Sequence, residues 1–183
     1  KYRSGILTGS KRCFEWAKES GAKHIVAAST AAVYGDTDDM PISEDAEPNP
    51  MSPYAEYKLR MEELLAEYNT VNLNCTALRF FNVFGEGQRA TGGYVSAVPI
   101  FLKQYNSYQP ITVTGDGQQT RDFIYVGDIC NAIEAAMEQE WQLELPIYNV
   151  GSGKEYKIYN LAVCLGGEIK FIAERNEPKR SLS

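Results

Sequence analysis

The chain has 183 residues, of which 44% are apolar and 23% are charged, and its net charge is −6. This balance predicts one buried core and excludes an intrinsically disordered chain. The acidic excess, with no run of lysines and arginines to offset it, argues against nucleic acid or an anionic membrane as the main partner and favours a small-molecule ligand. No apolar stretch has the length needed to cross a bilayer, and the first residues lack the pattern of a signal peptide.

The cysteines are scattered along the chain and form no C-x-x-C pair. Neither a disulfide framework nor a zinc site is therefore indicated, and we expect no bound metal. Reduced thiols in a cytoplasmic protein are the simpler interpretation. The four positions are Cys13, Cys75, Cys130 and Cys164.

Helix and strand patterns alternate in the first half of the chain. An amphipathic helix over residues 10–20 is predicted to end at Gly21, and an apolar strand follows at His24–Ser29. After a loop, a helix from Pro53 to about Asn69 leads into a second apolar strand, Thr76–Asn82. This order predicts a parallel sheet joined by right-handed crossovers, and therefore an α/β fold.

The second half continues with shorter elements, and the tail from Tyr156 onwards is weakly patterned. Its predicted elements are a helix over 95–108, a strand over 111–114, a turn over 115–117, a strand over 123–126, a helix from 128 to about 140 and a buried strand over 147–150.

A Tyr-x-x-x-Lys pair, Tyr54 and Lys58, lies at the start of the second predicted helix. Residues four apart are neighbours on one helix face, so an ammonium group can lie beside a phenol and lower the pKa of the phenol. Ser52 as N-cap and Pro53 as the first helical residue predict that Tyr54 lies in the opening turn. A solvated surface lysine is the alternative interpretation, because pairs with this spacing also arise by chance.

Polar side chains follow three of the predicted strands. Ser29 and Thr30 come at the end of the first strand, Asn82 ends the second, and Gly151–Gly153 follows the last. Ligands of open parallel sheets bind just beyond the carboxyl ends of the strands. The alternative is that these residues only cap turns and strand ends.

Four segments, in this order, resemble the extended short-chain dehydrogenase/reductase family, and within it the NAD-dependent nucleotide-sugar epimerases of the UDP-glucose 4-epimerase type. Residues 25–35 are similar to the segment with the catalytic Ser or Thr, and residues 52–58 to the segment with the catalytic Tyr and Lys. Residues 79–85 resemble the strand whose Asn holds the nucleotide sugar, and residues 115–128 the segment whose Arg contacts the diphosphate. The resemblance covers nearly the whole chain.

The resemblance implies a mechanism in which Tyr54 removes a hydroxyl proton of the sugar while the C4 hydride moves to NAD. Thr30 would stabilise the developing charge on the oxygen, and Lys58 would depress the pKa of the phenol. Hydride return to the opposite face of a 4-keto sugar would invert C4. The implied catalytic residues are Thr30, Tyr54 and Lys58.

The resemblance also implies two sets of binding residues. Those implied to contact NAD are Ser29, Tyr54, Lys58 and Phe81. Those implied to contact the nucleotide sugar, which we expect to be a UDP-sugar, are Asn82, Thr112, Thr114 and Arg121, with a further phosphate-binding arginine expected among Arg175, Lys179 and Arg180.

The implied architecture is a partial Rossmann-like, doubly wound parallel sheet with a small C-terminal α/β substrate-binding part. Residues 1–84, with 146–153 returning to the sheet, would be the C-terminal half of an NAD-binding domain. Residues 85–145 and 154–183 would bind the nucleotide sugar. The family's glycine-rich fingerprint is expected upstream of Lys1, so NAD binding by this chain alone is in question.

Three activities remain open at this point. Related dehydratases carry an Asp-Glu pair after the hydroxyl residue, whereas Ala31 and Ala32 follow Thr30 here, which favours an epimerase. A dehydratase or reductase of the same family and a catalytically silent nucleotide-sugar-binding module are the alternatives. The family also implies a homodimer formed through the helices predicted over 10–20 and 53–69.

Overall fold

The computed structural model describes residues 3–37, 39–91 and 95–174. A π-helical segment, Arg3–Thr8, precedes the first α-helix, and a 3-10 helix, Ala31–Tyr34, follows the first strand. The α-helices are α1 (Gly9–Glu19), α2 (Pro53–Tyr68), α3 (Ala97–Asn106), α4 (Val126–Met137) and α5 (Ile158–Leu165). The strands are β1 (His24–Thr30), β2 (Asn74–Phe80), β3 (Asn82–Phe84), β4 (Ile111–Thr114), β5 (Thr120–Tyr125), β6 (Ile147–Val150), β7 (Glu155–Lys157) and β8 (Ile169–Ile172).

The main sheet contains three parallel strands in the order β1-β2-β6. One face packs against α1 and α2, and on the other face Asn74 Nδ2 donates to the Gln139 carbonyl just after α4, at 2.6 Å. Helices therefore cover both faces, as in a doubly wound α/β fold, and the prediction of that fold class is confirmed. The core under α1 and α2 consists of Phe14, Ala27, Met61, Leu65, Leu73, Cys75 and Ala77.

The second predicted strand ends two residues earlier than expected. β2 stops at Phe80, and Asn82 instead begins β3, which pairs in parallel with β5. The Phe81 N–H still donates to the Val150 carbonyl of β6 at 3.1 Å, and the Val83 N–H donates to the Phe81 carbonyl at 3.0 Å. The chain thus turns out of the main sheet at Phe81, because its next hydrogen-bonding partners lie on β5.

Two smaller sheets accompany the main one, with strand orders β3-β5-β7 and β4-β8. The strand β8 pairs in parallel with β4, with Thr112 opposite Lys170. The predicted boundary between the two parts, at residue 84, falls directly after β3, in the β3-β5-β7 sheet, which is called the second sheet below. The division into two parts itself stays a prediction. Within the described ranges, the helices are too short or too polar to traverse a bilayer.

Candidate active site

The first turn of α2 is fixed at the carboxyl edge of the main sheet. The Ser52 side chain accepts a hydrogen bond from the Ala55 N–H at 3.2 Å, and Pro53 is the first helical residue, as predicted. A helix that joins two parallel strands runs back across the sheet, so α2 begins where β1 ends. This geometry brings the start of α2 to the edge at which α/β proteins bind ligands.

Lys58 joins α2 directly to the end of β1. Its Nζ donates to the Ala28 carbonyl at 2.6 Å, two residues before Thr30. The Thr30 Oγ1 accepts from the Ala32 N–H at 3.3 Å and so caps the 3-10 helix. Tyr54 lies one turn before Lys58 on α2, and 38% of its surface is exposed. The structure therefore places the predicted ammonium and hydroxyl at one strand end, with the phenol on the same helix.

The environment of Lys58 acts on its pKa in two directions. Burial lowers the pKa, because a buried amine loses the hydration of its charged form, and the nearby Glu62 carboxylate raises it. The net pKa of the Lys58 amine lies below its usual value. The opposing charge of Glu62 thus partly offsets the cost of keeping an ammonium ion at this half-buried position.

Two of the residues predicted to contact the cofactor point into the protein. The Ser29 side chain is buried, and its hydroxyl donates to Glu62 Oε1. The Phe81 ring is 6% exposed and packs in a cluster with Val33, Tyr34 and Ile42. Contacts of Ser29 and Phe81 with NAD stay predictions, which the placement of the two side chains does not support.

Asn82 and Arg121 lie on neighbouring strands of the second sheet. The Asn82 Nδ2 donates to the Asp122 carbonyl of β5 at 3.1 Å, and the Arg121 Nη1 donates to the Thr120 carbonyl at 2.7 Å. Both side chains are half-buried. Because β3 and β5 pair in parallel, the amide and the guanidinium group that were predicted to hold a nucleotide sugar lie on one small sheet.

Glutamine side chains hold the two threonines predicted to contact the nucleotide sugar. Gln104 of α3 donates to Thr112 Oγ1 at 2.8 Å and accepts from the Thr112 N–H at 3.1 Å. Gln119 Nε2 donates to the Thr114 carbonyl at 3.0 Å. A base that uses these backbone groups must replace or share the hydrogen bonds of the two glutamines.

Sequence reasoning missed Asp122, which is fully buried in β5. Its Oδ1 accepts from the N–H and the hydroxyl of Ser152, each at 2.7 Å, and its Oδ2 accepts from the Gly153 N–H at 3.0 Å. These N–H groups of the loop after β6 therefore bind an internal carboxylate. Asp122 and the buried Ile124 are two residues apart in β5 and therefore lie on the same face of the strand. This spacing was the signal that Asp122 is buried as well, and a buried carboxylate requires hydrogen-bond donors nearby.

Two other expectations concern metals and the C-terminal segment. In the part of the chain that the structure describes, no three His, Cys, Asp or Glu residues form a group that can hold a metal ion. The predicted phosphate contact among Arg175, Lys179 and Arg180 lies outside the described residues.

Comparison with known proteins places this geometry in a family. The model of the NAD-dependent epimerase/dehydratase family matches residues 6–151. A putative UDP-glucose 4-epimerase of Methanocaldococcus jannaschii is 37% identical over 153 residues, which are 83% of this chain and 48% of that protein. The chain thus spans about half the length of the curated relatives it matches.

Solved structures agree over almost the whole chain. UDP-N-acetylglucosamine 4-epimerase from Methanobrevibacter ruminantium, in complex with UDP-N-acetylmuramic acid, has a TM-score of 0.91 and 31% identity, covering 99% of this chain and 60% of that one. UDP-glucuronic acid 4-epimerase from Bacillus cereus, in complex with UDP-glucuronic acid and NAD, has a TM-score of 0.87 and 28% identity, covering 99% and 59%. The chain belongs to the NAD-dependent epimerase/dehydratase family.

Proposed function

We propose that this chain carries the catalytic and nucleotide-sugar-binding residues of an NAD-dependent 4-epimerase that interconverts UDP-glucose and UDP-galactose. The observation that supports this most directly is the 2.6 Å hydrogen bond from Lys58 Nζ to the Ala28 carbonyl. It joins the Tyr-x-x-x-Lys helix to the strand that ends in Thr30. Three groups with complementary roles in proton and hydride transfer therefore belong to one sheet edge.

The chemistry divides among these three side chains. The Tyr54 oxygen takes the proton of the sugar 4-hydroxyl as general base, and the Lys58 ammonium group stabilises the phenolate that makes this possible. The Thr30 hydroxyl accepts from Ala32 and still has its own proton to donate to the sugar oxygen as the C4 carbonyl forms. Bound NAD would supply the acceptor and donor of the C4 hydride. Return of the hydride to the opposite face would invert C4 with no net redox change.

The residues present fit the nicotinamide end of this cofactor. An ammonium group and a phenol lie one helical turn apart at the carboxyl edge of a parallel sheet, where Lys58 and Tyr54 would hold the ribose and the ring. A G-x-G-x-x-G fingerprint for the pyrophosphate does not occur in the 183 residues. Binding of the whole cofactor therefore requires further groups for the pyrophosphate. The proposed activity is that of the protein that also supplies these groups.

The nucleotide sugar would lie across the second sheet, with Arg121 near the diphosphate and Asn82 near the sugar. The base would lie along β4, at Thr112 and Thr114. We also propose that two copies associate through α1 and α2.

The residues after Thr30 favour epimerisation over dehydration. Elimination of water needs an additional acid and base beside the sugar. Ala31 and Ala32 form the first turn of the 3-10 helix at this position, and neither can transfer a proton. In the proposed mechanism Tyr54 is therefore the general base at this strand end, which suits a reaction that only removes and returns one proton.

The test is an assay of UDP-glucose and UDP-galactose interconversion with added NAD. It uses the 183-residue chain and, in parallel, the longest reading frame that contains it. We expect Tyr54→Phe to lower kcat by roughly 100- to 10,000-fold, because the general base is lost. Tyr57→Phe, on the same helix, is the matched control and should retain activity.

Each outcome decides between the activities. Interconversion that survives Tyr54→Phe, or that is missing from both forms of the protein, would overturn the proposal. A 4-keto sugar as the released product would identify a dehydratase, and consumption of NADPH would identify a reductase. Binding of UDP-sugars without turnover would identify a silent binding module.

A further inference from the structure

Glu62 is a buried carboxylate one turn after Lys58 on α2. Its side chain is 3% exposed, as is that of its partner Arg79 on β2. The Arg79 Nε donates to Glu62 Oε1 at 3.1 Å, and the Nη2 donates to Oε2 at 2.7 Å. A buried ion pair of this kind is poor evidence for stability, because the cost of removing two charges from water roughly cancels their attraction. Its presence therefore calls for another explanation.

The contacts of Glu62 lead to both sides of the candidate active site. Its Oε1 also accepts from the hydroxyl of Ser29, the residue directly before Thr30. On its own helix, Glu62 lies four residues after Lys58, so the two side chains share one face. A single carboxylate thus links the strand end that carries Thr30 to the helix that carries Lys58 and Tyr54.

Arg79 is held from a second direction, which fixes the position of Glu62. Its guanidinium carbon lies 4.7 Å from the centre of the Tyr34 ring, and its Nη1 donates to the Glu44 carbonyl at 3.5 Å. Burial alone would lower the pKa of Arg79, but hydrogen bonds with Glu62 and Tyr34 outweigh it and raise the pKa above its ordinary value. The guanidinium group is therefore a permanent positive charge with little freedom to move.

We propose that Glu62 is a positioning residue, which fixes the end of β1 beside Thr30 through Ser29 and balances the charge of Lys58 one turn away. This inference rests on the proposed function, since it assigns Glu62 a role in the same reaction. It also explains why Ser29 is buried: its hydroxyl donates to Glu62 inside the protein and not to a ligand.

The electrostatic part of the proposal has a definite sign. Burial lowers the pKa of the Lys58 amine and the Glu62 charge raises it, so removing that charge lowers the pKa of Lys58 further. Lys58 would then lose its proton, and Tyr54 its cationic partner, at a lower pH. The other charged or titratable groups around Glu62 are Arg79 from β2, Tyr34 from the 3-10 helix, over whose ring Arg79 lies, and Glu44 from the following loop, whose charge acts on Tyr34.

The experiment compares three variants of the same chain length. Glu62→Gln removes the charge but keeps an oxygen that can accept from Ser29. Ser29→Ala removes only the hydroxyl, and Glu63→Gln removes an exposed carboxylate from the next position as the matched control. We expect Glu62→Gln and Ser29→Ala each to lower kcat roughly 10- to 100-fold with little change in KM, since small displacements of reacting groups have effects of this size.

Two further readouts separate positioning from mere folding. The Lys58 amine is titrated by nitrogen-15 NMR without substrate, with Lys58→Arg to assign its signal, and kcat/KM is measured against pH. With Glu62→Gln, the Lys58 titration and the alkaline limb of the profile should both move to lower pH. If both coincide with those of Glu63→Gln, the inference is wrong.

Glu62→Gln leaves Arg79 buried without its counter-charge, so this variant can fail to fold. The double variant Glu62→Gln with Arg79→Met removes both charges. It should still move the Lys58 titration to lower pH, but by less than Glu62→Gln alone, because loss of the positive charge acts in the opposite direction. An unchanged titration in the folded double variant overturns the inference. A displaced titration in a protein that turns over no nucleotide sugar would instead overturn the proposed function.

Discussion

His24, the single histidine of the chain, lies in β1 against two polar side chains of β2. Its Nε2 is 3.1 Å from Thr76 Oγ1, and its Nδ1 is 3.5 Å from Asn74 Nδ2. Burial lowers the pKa of the imidazole, and a hydrogen bond with the backbone of Met137 acts in the opposite direction. The ring is thus a neutral part of the side-chain packing at the start of β1.

The lowered pKa of His24 predicts a loss of stability in mild acid. In the unfolded chain the imidazole takes up a proton near its ordinary pKa of about 6.5, so below that pH the unfolded state binds more protons than the folded state. The contribution of the neutral His24 ring to the free energy of unfolding is therefore fully present above about pH 6.5, and it is lost as the pH falls through the lower pKa of the folded state. We expect His24→Gln to lose less stability than the unmodified chain between pH 7 and pH 5, measured as the urea midpoint. Equal losses in the two proteins would contradict this assignment.

At the level of single residues, sequence reasoning identified the groups that lie at the end of β1 and missed two buried carboxylates. Tyr54 and Lys58 have a helical spacing that one helix displays by itself. Glu62 and Asp122 have meaning only through partners on other elements, at Arg79 and at the loop after β6. Such pairings depend on the tertiary arrangement, which a single sequence does not display.

Among the elements, α2 determines the geometry of the site, and its first turn depends on one hydroxyl. The Ser52 Oγ satisfies the Ala55 N–H, which has no partner within the helix. We expect Ser52→Ala to lower the free energy of unfolding by about 1 kcal/mol. Activity should fall as well, because Tyr54 lies in the turn that loses its cap.

Ser96 provides the control for this prediction. It is the N-cap residue of α3, but its side chain makes no capping hydrogen bond. Ser96→Ala should therefore change the denaturation midpoint much less than Ser52→Ala. Equal effects of the two substitutions would show that the cap of α2 contributes no particular stability.

Local signals predicted several of the elements well, and they failed where pairing is distant or the strand is short. The bounds of α2 follow from Ser52 and Pro53, and β4 and β6 match the predicted apolar runs. By contrast, β8 contains no fully buried residue, and it forms a strand by pairing with β4, more than fifty residues earlier in the chain. The three residues of β3 are too few to show a period of two.

At the scale of the whole molecule, α1 presents a large apolar side chain to the exterior. Trp16 is 70% exposed, on one of the two helices through which we expect a homodimer to form. We predict that light scattering gives a mass of two chains of 20.4 kDa and that Trp16→Arg gives one. Burial of an aromatic ring at an interface is a common source of association energy.

The other tryptophan is the matched control. Trp141 is 38% exposed and lies after α4, outside α1 and α2. Trp141→Arg should leave the mass unchanged. A mass of one chain for the unmodified protein would contradict the expected homodimer.

The carboxylate of Asp122 also connects the sheet that contains β5 to the main sheet. It is tied to Ser152 and Gly153 at the rim of the main sheet, and Arg121 is the adjacent residue on the same strand. One peptide unit therefore separates the residue tied to that rim from the backbone of Arg121. Changes elsewhere in the sheet that contains β5 would leave this strand in place. If Arg121 holds the diphosphate as proposed, one scaffold would then accept different sugars while it binds their shared diphosphate in the same way.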